Sequence, residues 1–429
     1  MMEALAEAMD APDALQSPRR HRRLWRGLGL LACLLLGGCS SLPPLPRMLY
    51  MAIGLNDDEA IDTGSVNDFR ARLQLLETSF QALHPGTHFQ FSLTPEVQIE
   101  SVLQQRSTTG LAPDLAFVNG DTARHLLESG VVDPYPISRK QQALIDPRML
   151  VRLRDARGRL AGLPVMVRTQ LACFNRKRMK QSPANVDALL RLSNSNQSIG
   201  LTIDPVQLLW SVGSLGALKA IERAVAGQPA TAADQAAVEG WLRWLEAANN
   251  QRQITFYATQ PQAMADFEAG HLDWITCDSV NLASLAKTLG SALGVAPLPS
   301  GPGGRPSPVN RLRVLVLGRS STASGRQRAL AFADSSISAE SQSNLTIGSQ
   351  SVLPANRFVQ VPIRGSQRLA ALVASAQDGA QTANLAALIH SHDPRLRQIQ
   401  RVLTELVFGD LPERQASRQL LAILRQSTP

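Results

Sequence analysis

The alternation of strand-like and helix-like segments between residues 48 and 135 is the feature that most constrains the fold. The stretches "RMLYMAIGL", "HFQFSL" and "PDLAFV" are typical of strands, because β-prone apolar residues are bounded by turn residues. Apolar residues at helical spacing predict a helix from Ser65, a second helix from a cap at Thr94, and a short helix closed by Gly130. This βαβα order predicts a mostly parallel sheet with helices on both faces.

A second series of such segments occupies the rest of the chain. The stretches "RTQLACFN", "SIGLTID", "HLDWITCDS" and "LRVLVLG" are typical of strands, a helix is predicted over residues 231–249, and helices dominate after residue 326. The 391 residues from Cys39 onward are too many for one compact core, so two lobes are expected.

The N-terminal segment has the pattern of an export signal. Five arginines between residues 19 and 26 precede an uncharged stretch over residues 27–38, which is shorter than the roughly 20 residues that a membrane-spanning helix needs. A long, partly acidic stretch comes before the arginines, so Met9 is an alternative start of translation.

The sequence Leu-Gly-Gly-Cys ending at Cys39 resembles the lipobox of bacterial lipoproteins. The resemblance implies that residues 1–38 are a signal peptide, that Cys39 carries lipid, and that residues 39–47 form a tether. The protein is then expected to be exported and anchored to a membrane, facing the periplasm or the cell exterior. An ordinary signal peptide with an incidental cysteine is the alternative.

The chain is basic, with a formal net charge of +8. The first 38 residues hold five arginines and four acids, so the remainder has 38 basic and 31 acidic residues and a net charge of +7. After the leader no run of five like charges occurs, and aromatic residues are few, so a nucleic-acid partner is not expected. A surface near anionic lipid, or an anionic ligand, suits this charge better.

Two cysteines, Cys173 and Cys277, remain after Cys39. They can form a disulfide in an oxidising compartment, but each sits in an apolar strand-like run, and two buried thiols are the favoured expectation. The chain has no CxxC motif and no His/Cys cluster with metal-ligand spacing, so we expect no metal site.

Several short stretches carry a family resemblance. In order along the chain they are "LETSFQALHPGTHFQFSL", "GLAPDLAFVNGD", "LLESGVVDPY", "GRLAGLPV" with "LACFNRKRM", "ADFEAGHLDWITCDS" and "VLPANRFV". Together they resemble the extracellular solute-binding proteins of ABC transporters, in particular the class that includes maltose-binding protein. The resemblance implies a monomer without a cofactor or enzyme activity, which binds a small solute and delivers it to a membrane permease.

The same resemblance implies the fold: two doubly wound α/β lobes joined by a hinge, the type II periplasmic binding protein architecture. It places residues 48–167 and 313–359 in an N-terminal lobe. Residues 168–312 and 360–429 then form a C-terminal lobe. In open parallel sheets ligands bind beyond the carboxyl ends of the strands, and sites favour interfaces between domains, so the ligand is expected between the lobes.

Polar residues follow the predicted strands, and the resemblance implies that they bind the ligand. These candidates are Asn56, Asp57, Asn119, Asp121, Asp204, Gln207, Asp278, Ser279 and Asn281, and the aromatic residues Trp210 and Tyr257 are further cleft candidates because they can stack on a sugar. Asp121 and Asp204 are expected to face each other across the cleft, although each is equally suited to cap a helix.

The ligand class stays open at this point. A sugar or polyol is the first choice, but the chain has few Trp and Tyr residues, and the glycine and aromatic usual in this family near residues 278–281 are missing. An anionic solute is an alternative, since Arg168 and Arg311 lie near the expected hinge and can bind an anion through two N–H groups. The divergent loop also allows a lipoprotein that keeps the fold but acts as a sensor or structural partner.

Two short motifs match patterns known from catalytic or metal sites, but we expect neither function here. Ser284 and Lys287 match SxxK, but the partner motifs of the β-lactamase class are missing, so no catalytic role is expected. The sequence "HSHD" over residues 390–393 suggests a metal, but a cap by Asp393 on a helix that begins at Pro394 is the simpler interpretation.

Overall fold

The computed structural model describes residues 47–55, 63–192, 195–382 and 393–426. Within these ranges twelve strands form two sheets. The strands are β1 (Arg47–Leu55), β2 (Thr87–Pro95), β3 (Leu115–Asn119), β4 (Val132–Asp133), β5 (Leu163–Arg168), β6 (Gln170–Asn175), β7 (Ile199–Thr202), β8 (Ile254–Tyr257), β9 (Trp274–Asp278), β10 (Leu293–Ala296), β11 (Arg311–Gly318) and β12 (Leu353–Pro354).

Helices cover both sheets. They are α1 (Thr63–Leu83), α2 (Ile99–Thr108), α3 (Gly120–Glu128), α4 (Arg139–Leu144), α5 (Pro147–Arg152), α6 (Val186–Leu192), α7 (Pro205–Ser214), α8 (Leu218–Val225), α9 (Ala232–Asn249), α10 (Gln260–Glu268), α11 (Leu282–Leu289), α12 (Ala323–Ser336), α13 (Ala339–Ser349), α14 (Gln367–Asp378), α15 (Pro394–Val407) and α16 (Glu413–Leu424).

The first sheet has the strand order β12-β5-β11-β3-β1-β2, with β4 paired to β11. β1 runs parallel to both β2 and β3, as the βαβα pattern predicts. β11 returns to this sheet late in the chain and pairs antiparallel with β3, β4 and β5. The second sheet has the order β10-β6-β9-β7-β8, in which β7 is parallel to β8 and β9.

One helix start differs from the prediction. Thr94 and Pro95 were expected to begin a helix, but both continue β2, whose pairing with β1 extends to Leu55 opposite Pro95. A short 3₁₀ turn over Glu96–Gln98 then precedes α2. Pairing with a neighbouring strand has therefore overridden a good local capping sequence.

Apolar side chains of the two sheets and their helices are buried in two clusters. The first contains β1, β3, β5 and β11 with α1 and α12, and it also includes residues of β6, β9 and α11. The second fills the space between β7, β9 and the helices α7, α9, α15 and α16. The first cluster thus includes residues of both sheets and helps to hold them together.

Candidate functional site

The chain passes from the first sheet to the second at Thr169, between the end of β5 and the start of β6. Cross-strand pairing sets charged side chains beside this crossing. Arg311 lies opposite Arg168 in the first sheet, and Asp278 lies opposite Gln170 in the second. Polar and charged groups of both sheets therefore meet where the chain crosses.

A buried ion pair joins the two sheets at the crossing. Arg168 Nη2 lies 3.1 Å from Asp278 Oδ2, and Arg168 Nε donates to Asp278 Oδ1 at 3.3 Å. Only 1% and 3% of the two side chains are exposed. Burial opposes ionisation of Asp278, but the charges of Arg168 and Arg311 and hydrogen bonds from Arg168 and the Val280 amide outweigh it, so its pKa is lowered. Asp278 is therefore an anion at neutral pH.

Hydrogen bonds reinforce this ion pair. Thr169 N donates to Ser279 Oγ at 3.2 Å, and Ser279 N donates to Thr169 O at 2.9 Å. Gln170 Nε2 donates to Gln207 Oε1 at 2.9 Å. Ser279 and Gln207, both expected to bind ligand, are buried and hold the crossing in place. The hinge cluster, as we name it, comprises Arg168, Thr169, Gln170, Asp278 and Ser279.

A second buried ion pair, which the sequence did not suggest, lies at the carboxyl edge of the first sheet. Arg313 Nη1 lies 3.1 Å from Glu96 Oε2 and donates to Asn119 Oδ1 at 3.1 Å, while Asn119 N donates to Glu96 Oε1 at 2.7 Å. Burial raises the pKa of Glu96, and Arg313 offsets this only in part. The available signal was an acidic residue, Glu96, directly after β2, close to the position that Asn119 holds as the last residue of β3.

The two aspartates expected to face each other start helices at strand ends. Asp204 caps α7, accepting hydrogen bonds from Val206 N at 2.7 Å and Gln207 N at 3.3 Å. Asp121 lies in the first turn of α3, where Asn119 and not Asp121 occupies the N-cap position. Both aspartates are half-buried. Their mutual orientation across a cleft stays a prediction.

The aromatic candidates lie in different environments. Trp210 is fully buried, and its ring centroid lies 6.3 Å from that of Trp244 and 6.4 Å from that of Trp274. It is a core residue and offers no face to a ligand in this structure, contrary to the expectation. Tyr257 is half-buried, and its hydroxyl donates to Asp266 Oδ2 at 2.7 Å. Burial and the neighbouring carboxylate raise the pKa of Tyr257 to about 12.

Of the remaining candidate residues, one lies in the described part of the chain and the others lie outside it. Asn281 is buried, and its Nδ2 donates to Met264 Sδ at 3.0 Å. Asn56, Asp57 and the proposed lipid site Cys39 lie outside the described residues.

The loop that departs from the family pattern contributes apolar contacts between the two sheets. Arg72 of α1 donates from Nη1 to Val280 O at 3.3 Å. Val280 and Leu282 belong to the same buried cluster as Phe69 of α1, and α1 contacts α11. Side chains of the protein itself therefore occupy the space between α1 and residues 280–282.

The two described cysteines are paired. Cys173 and Cys277 form a disulfide between β6 and β9, with a sequence separation of 104. The expectation of two buried thiols is therefore wrong. Both cysteines are buried as expected, but adjacent antiparallel strands bring them within bonding distance, which their separation along the chain does not reveal.

The motifs with possible chemistry have structural explanations. Ser284 and Lys287 lie three residues apart on α11, and Lys287 is exposed. Asp393 caps α15 as predicted, accepting from Arg395 N at 2.9 Å, whereas His390 and His392 lie outside the described residues. In the described part of the chain, no group of three or more His, Cys, Asp or Glu is placed to hold a metal, and no helix is long and apolar enough to cross a membrane.

Solved structures share this fold over nearly the whole chain. The acarbose-binding GacH receptor of Streptomyces glaucescens GLA.O has 16% identity and a TM-score of 0.70, covering 88% of this chain and 97% of the receptor. The MalE domain of Bdellovibrio bacteriovorus, bound to maltotriose, has 15% identity and a TM-score of 0.63, covering 88% and 98%. MalE1 of L. casei BL23 has 14% identity and a TM-score of 0.65, covering 90% and 100%. These similarities confirm the predicted two-lobe α/β fold.

The sequence itself matches a family model. Residues 78–364 match the model described as bacterial extracellular solute-binding protein. No curated protein matches the chain. The family and the solved neighbours are binding proteins and not enzymes, in agreement with the sequence-based expectation. With most of its length matched by the family model and its two-sheet fold shared with these neighbours, the chain belongs to the bacterial extracellular solute-binding protein family.

Proposed function

We propose that the protein is a lipid-anchored receptor that captures a small polar solute between its two lobes and delivers it to an ABC permease. A sugar or polyol is the first choice of solute. The observation that carries this proposal is the meeting of polar strand ends from both sheets at the hinge cluster, in a chain of the solute-binding family. Contacts from a ligand to both lobes stabilise a closed state, because they exist only there.

The proposed ligand groups are the half-buried polar residues at the strand ends. Asp121 follows β3 of the first sheet, while Asp204 follows β7 and Tyr257 ends β8 of the second. Asn56 and Asp57 follow β1 and stay part of the proposal. Hydroxyl groups of a sugar or polyol can donate hydrogen bonds to these carboxylates. They can also donate to or accept from the side-chain amide of Asn56 and the phenol of Tyr257.

The solved neighbours support a carbohydrate, since the GacH receptor binds acarbose and the Bdellovibrio domain binds maltotriose. The tryptophans among the described residues, however, are buried. We infer a solute held more by hydrogen bonds than by stacking on indole faces, which favours a small sugar or polyol over a long oligosaccharide. An anionic solute is the alternative, because Arg168 and Arg311 bring two positive charges to the crossing, where Asp278 supplies one negative charge.

A ligand panel tests the proposal. Sugars, polyols, carboxylates and phosphates are screened for stabilisation of the purified protein, and a ligand at 100 times its Kd stabilises by about 2.7 kcal/mol. Asp121→Asn and Asp204→Asn should weaken binding of the hit roughly 10- to 150-fold, as expected for lost charged hydrogen bonds. Asp234→Asn, on α9 and away from the strand ends, is the matched control. Unchanged affinity in both strand-end variants would disprove the assigned site.

The anchor is tested separately by the variant Cys39→Ser. We expect the wild-type protein in the membrane fraction with the added mass of lipid, and the variant without that mass. A variant that is still cleaved at this position and lipid-modified would exclude Cys39 as the anchor.

A second candidate function is a sensor or structural partner that keeps the fold without transporting a solute. The observation that favours it is the occupation of the space between the sheets by the protein itself, through the Arg168–Asp278 pair and the contact of Arg72 with Val280. This function predicts that no member of the panel stabilises the protein and that the lobes do not move apart.

A further inference from the structure

A cavity of about 170 Å³ lies between α5, the strands β5, β11 and β12, and the C-terminal end of α14, and its lining residue Val167 directly precedes the hinge cluster in sequence. Its walls are mostly apolar. The lining apolar side chains include Met149, Val167, Leu312, Leu353, Pro354 and Ala376. An apolar cavity of about 150 Å³ is large enough to hold benzene, so this one accommodates a ligand with a ring-sized body.

Arg152 supplies a cation to the lining of this cavity. Its Nη2 donates to Asn310 O at 2.8 Å, and within the described residues this is the one hydrogen bond of its guanidinium. Burial lowers the pKa of Arg152, and the charge of Asp121 opposes this. The guanidinium is thus partly desolvated, with Nε and Nη1 still able to donate, which strengthens its attraction for an anion.

The other charged residues of the lining form a pair at its exposed edge. Arg148 Nη2 lies 2.6 Å from Asp146 Oδ2, and 70% of the Arg148 side chain is exposed. Arg148 neutralises Asp146, and Arg357 also lowers the pKa of that carboxyl. The charged lining residues therefore carry a net charge of +1, and Arg152 forms no direct ion pair within the described residues, although the carboxylate of Asp121 is near enough to act on its charge.

We propose that this cavity is a second small-molecule site that binds a small organic carboxylate, with its carboxylate on Arg152 and its apolar body against Met149, Leu312 and Leu353. None of the hinge-cluster residues lines it. The inference goes beyond the proposed solute receptor and does not depend on it.

Benzoate is the probe, and benzyl alcohol is its neutral control of similar size. Calorimetric titration of the purified full chain should show benzoate binding at least about tenfold tighter than benzyl alcohol, since the alcohol lacks the charge that pairs with Arg152. This comparison needs no variant, so it holds even if a substitution impairs folding. Equal affinities for the two probes, or no benzoate binding at millimolar concentration, would overturn the proposal.

Two substitutions then locate the site. Arg152→Met removes the charge and should weaken benzoate binding at least about tenfold, whereas Ala376→Met fills the cavity and should abolish binding of both probes. Arg139→Gln, at an exposed arginine of α4 that does not line the cavity, is the control and should change benzoate affinity little. Benzoate binding that survives both Arg152→Met and Ala376→Met would show that the anion binds elsewhere. The absence of sugar or polyol binding leaves these results unchanged. A carboxylate found in the solute panel belongs to the cavity if Ala376→Met abolishes its binding and to the strand ends if it does not, so the two proposals fail separately.

Discussion

The Arg168–Asp278 pair makes the sharpest prediction about what holds the two sheets together. Both side chains are almost entirely buried. Replacing Asp278 therefore takes the paired carboxylate from Arg168, and replacing Arg168 leaves the buried Asp278 with the charge of Arg311 in place of two arginine charges. Removing one partner of a buried pair costs about 3–5 kcal/mol, whereas replacing both by apolar residues is often close to neutral. We therefore expect Arg168→Met and Asp278→Asn each to lower the free energy of unfolding by about 3–5 kcal/mol.

Equilibrium urea unfolding of the wild type, both single variants and the double variant Arg168→Met/Asp278→Asn measures the coupling. Asp278 also caps the short 3₁₀ turn Ser279–Asn281, since its Oδ1 accepts from Val280 N. Asn keeps a side-chain oxygen that can accept this hydrogen bond, so the substitution removes the charge and keeps the cap. The double variant should recover a large part of the loss, because neither charge of this pair is then left without its partner. Arg148→Met, at the exposed Arg148–Asp146 pair, is the control and should cost at most about 1 kcal/mol. Single variants no worse than this control, or a double variant whose loss is the sum of the two, would refute the reasoning.

Three further predictions concern pH, the disulfide and a helix cap. Because the folded pKa of Asp278 lies below its ordinary value of 3.8, its stabilisation is present above that pH and is lost on acidification; unfolding free energy should fall more steeply below about pH 5 in the wild type than in Asp278→Asn, and equal slopes would contradict this. Reduction of Cys173–Cys277 should lower the free energy of unfolding by about 2–5 kcal/mol, with no effect of reductant on the variant with both cysteines replaced by Ala; two free thiols in the unreduced native protein would show that the bond is absent. Asp204→Ala should cost about 1 kcal/mol by loss of the α7 cap while Asp204→Asn costs little, as thermal melts can show; equal losses would argue against a capping role.

Local sequence signals account for much of the fold. The strand "RMLYMAIGL" coincides with β1, and the caps at Asp204 and Asp393 start α7 and α15 as predicted. These features depend on residues close in sequence, whose side chains reach the backbone of the next turn. The start of α2 was mispredicted because strand pairing with β1 extends β2 through Pro95.

The site was harder to predict because its contacts join residues far apart in the chain. Arg168 and Asp278 are 110 positions apart, and Glu96 and Arg313 are 217 apart. Both Asp278 and Arg168 stood out as polar residues near strand ends, but nothing local indicates that they neutralise each other. Trp210 was expected in the cleft as one of the few aromatic residues available to stack on a sugar, yet it packs in the core beside Trp244 and Trp274.

The distance between the lobes tests most directly whether the protein captures a solute between them. Leu111 and Phe408 are exposed, the first after α2 beside the first sheet and the second at the end of α15 beside the second. With cysteine labels at these two positions, electron spin resonance can follow their separation before and after a stabilising sugar or polyol is added. A solute receptor predicts a shift to shorter distances that is reversed when the ligand is removed. A distance distribution that the ligand leaves unchanged would contradict capture between the lobes.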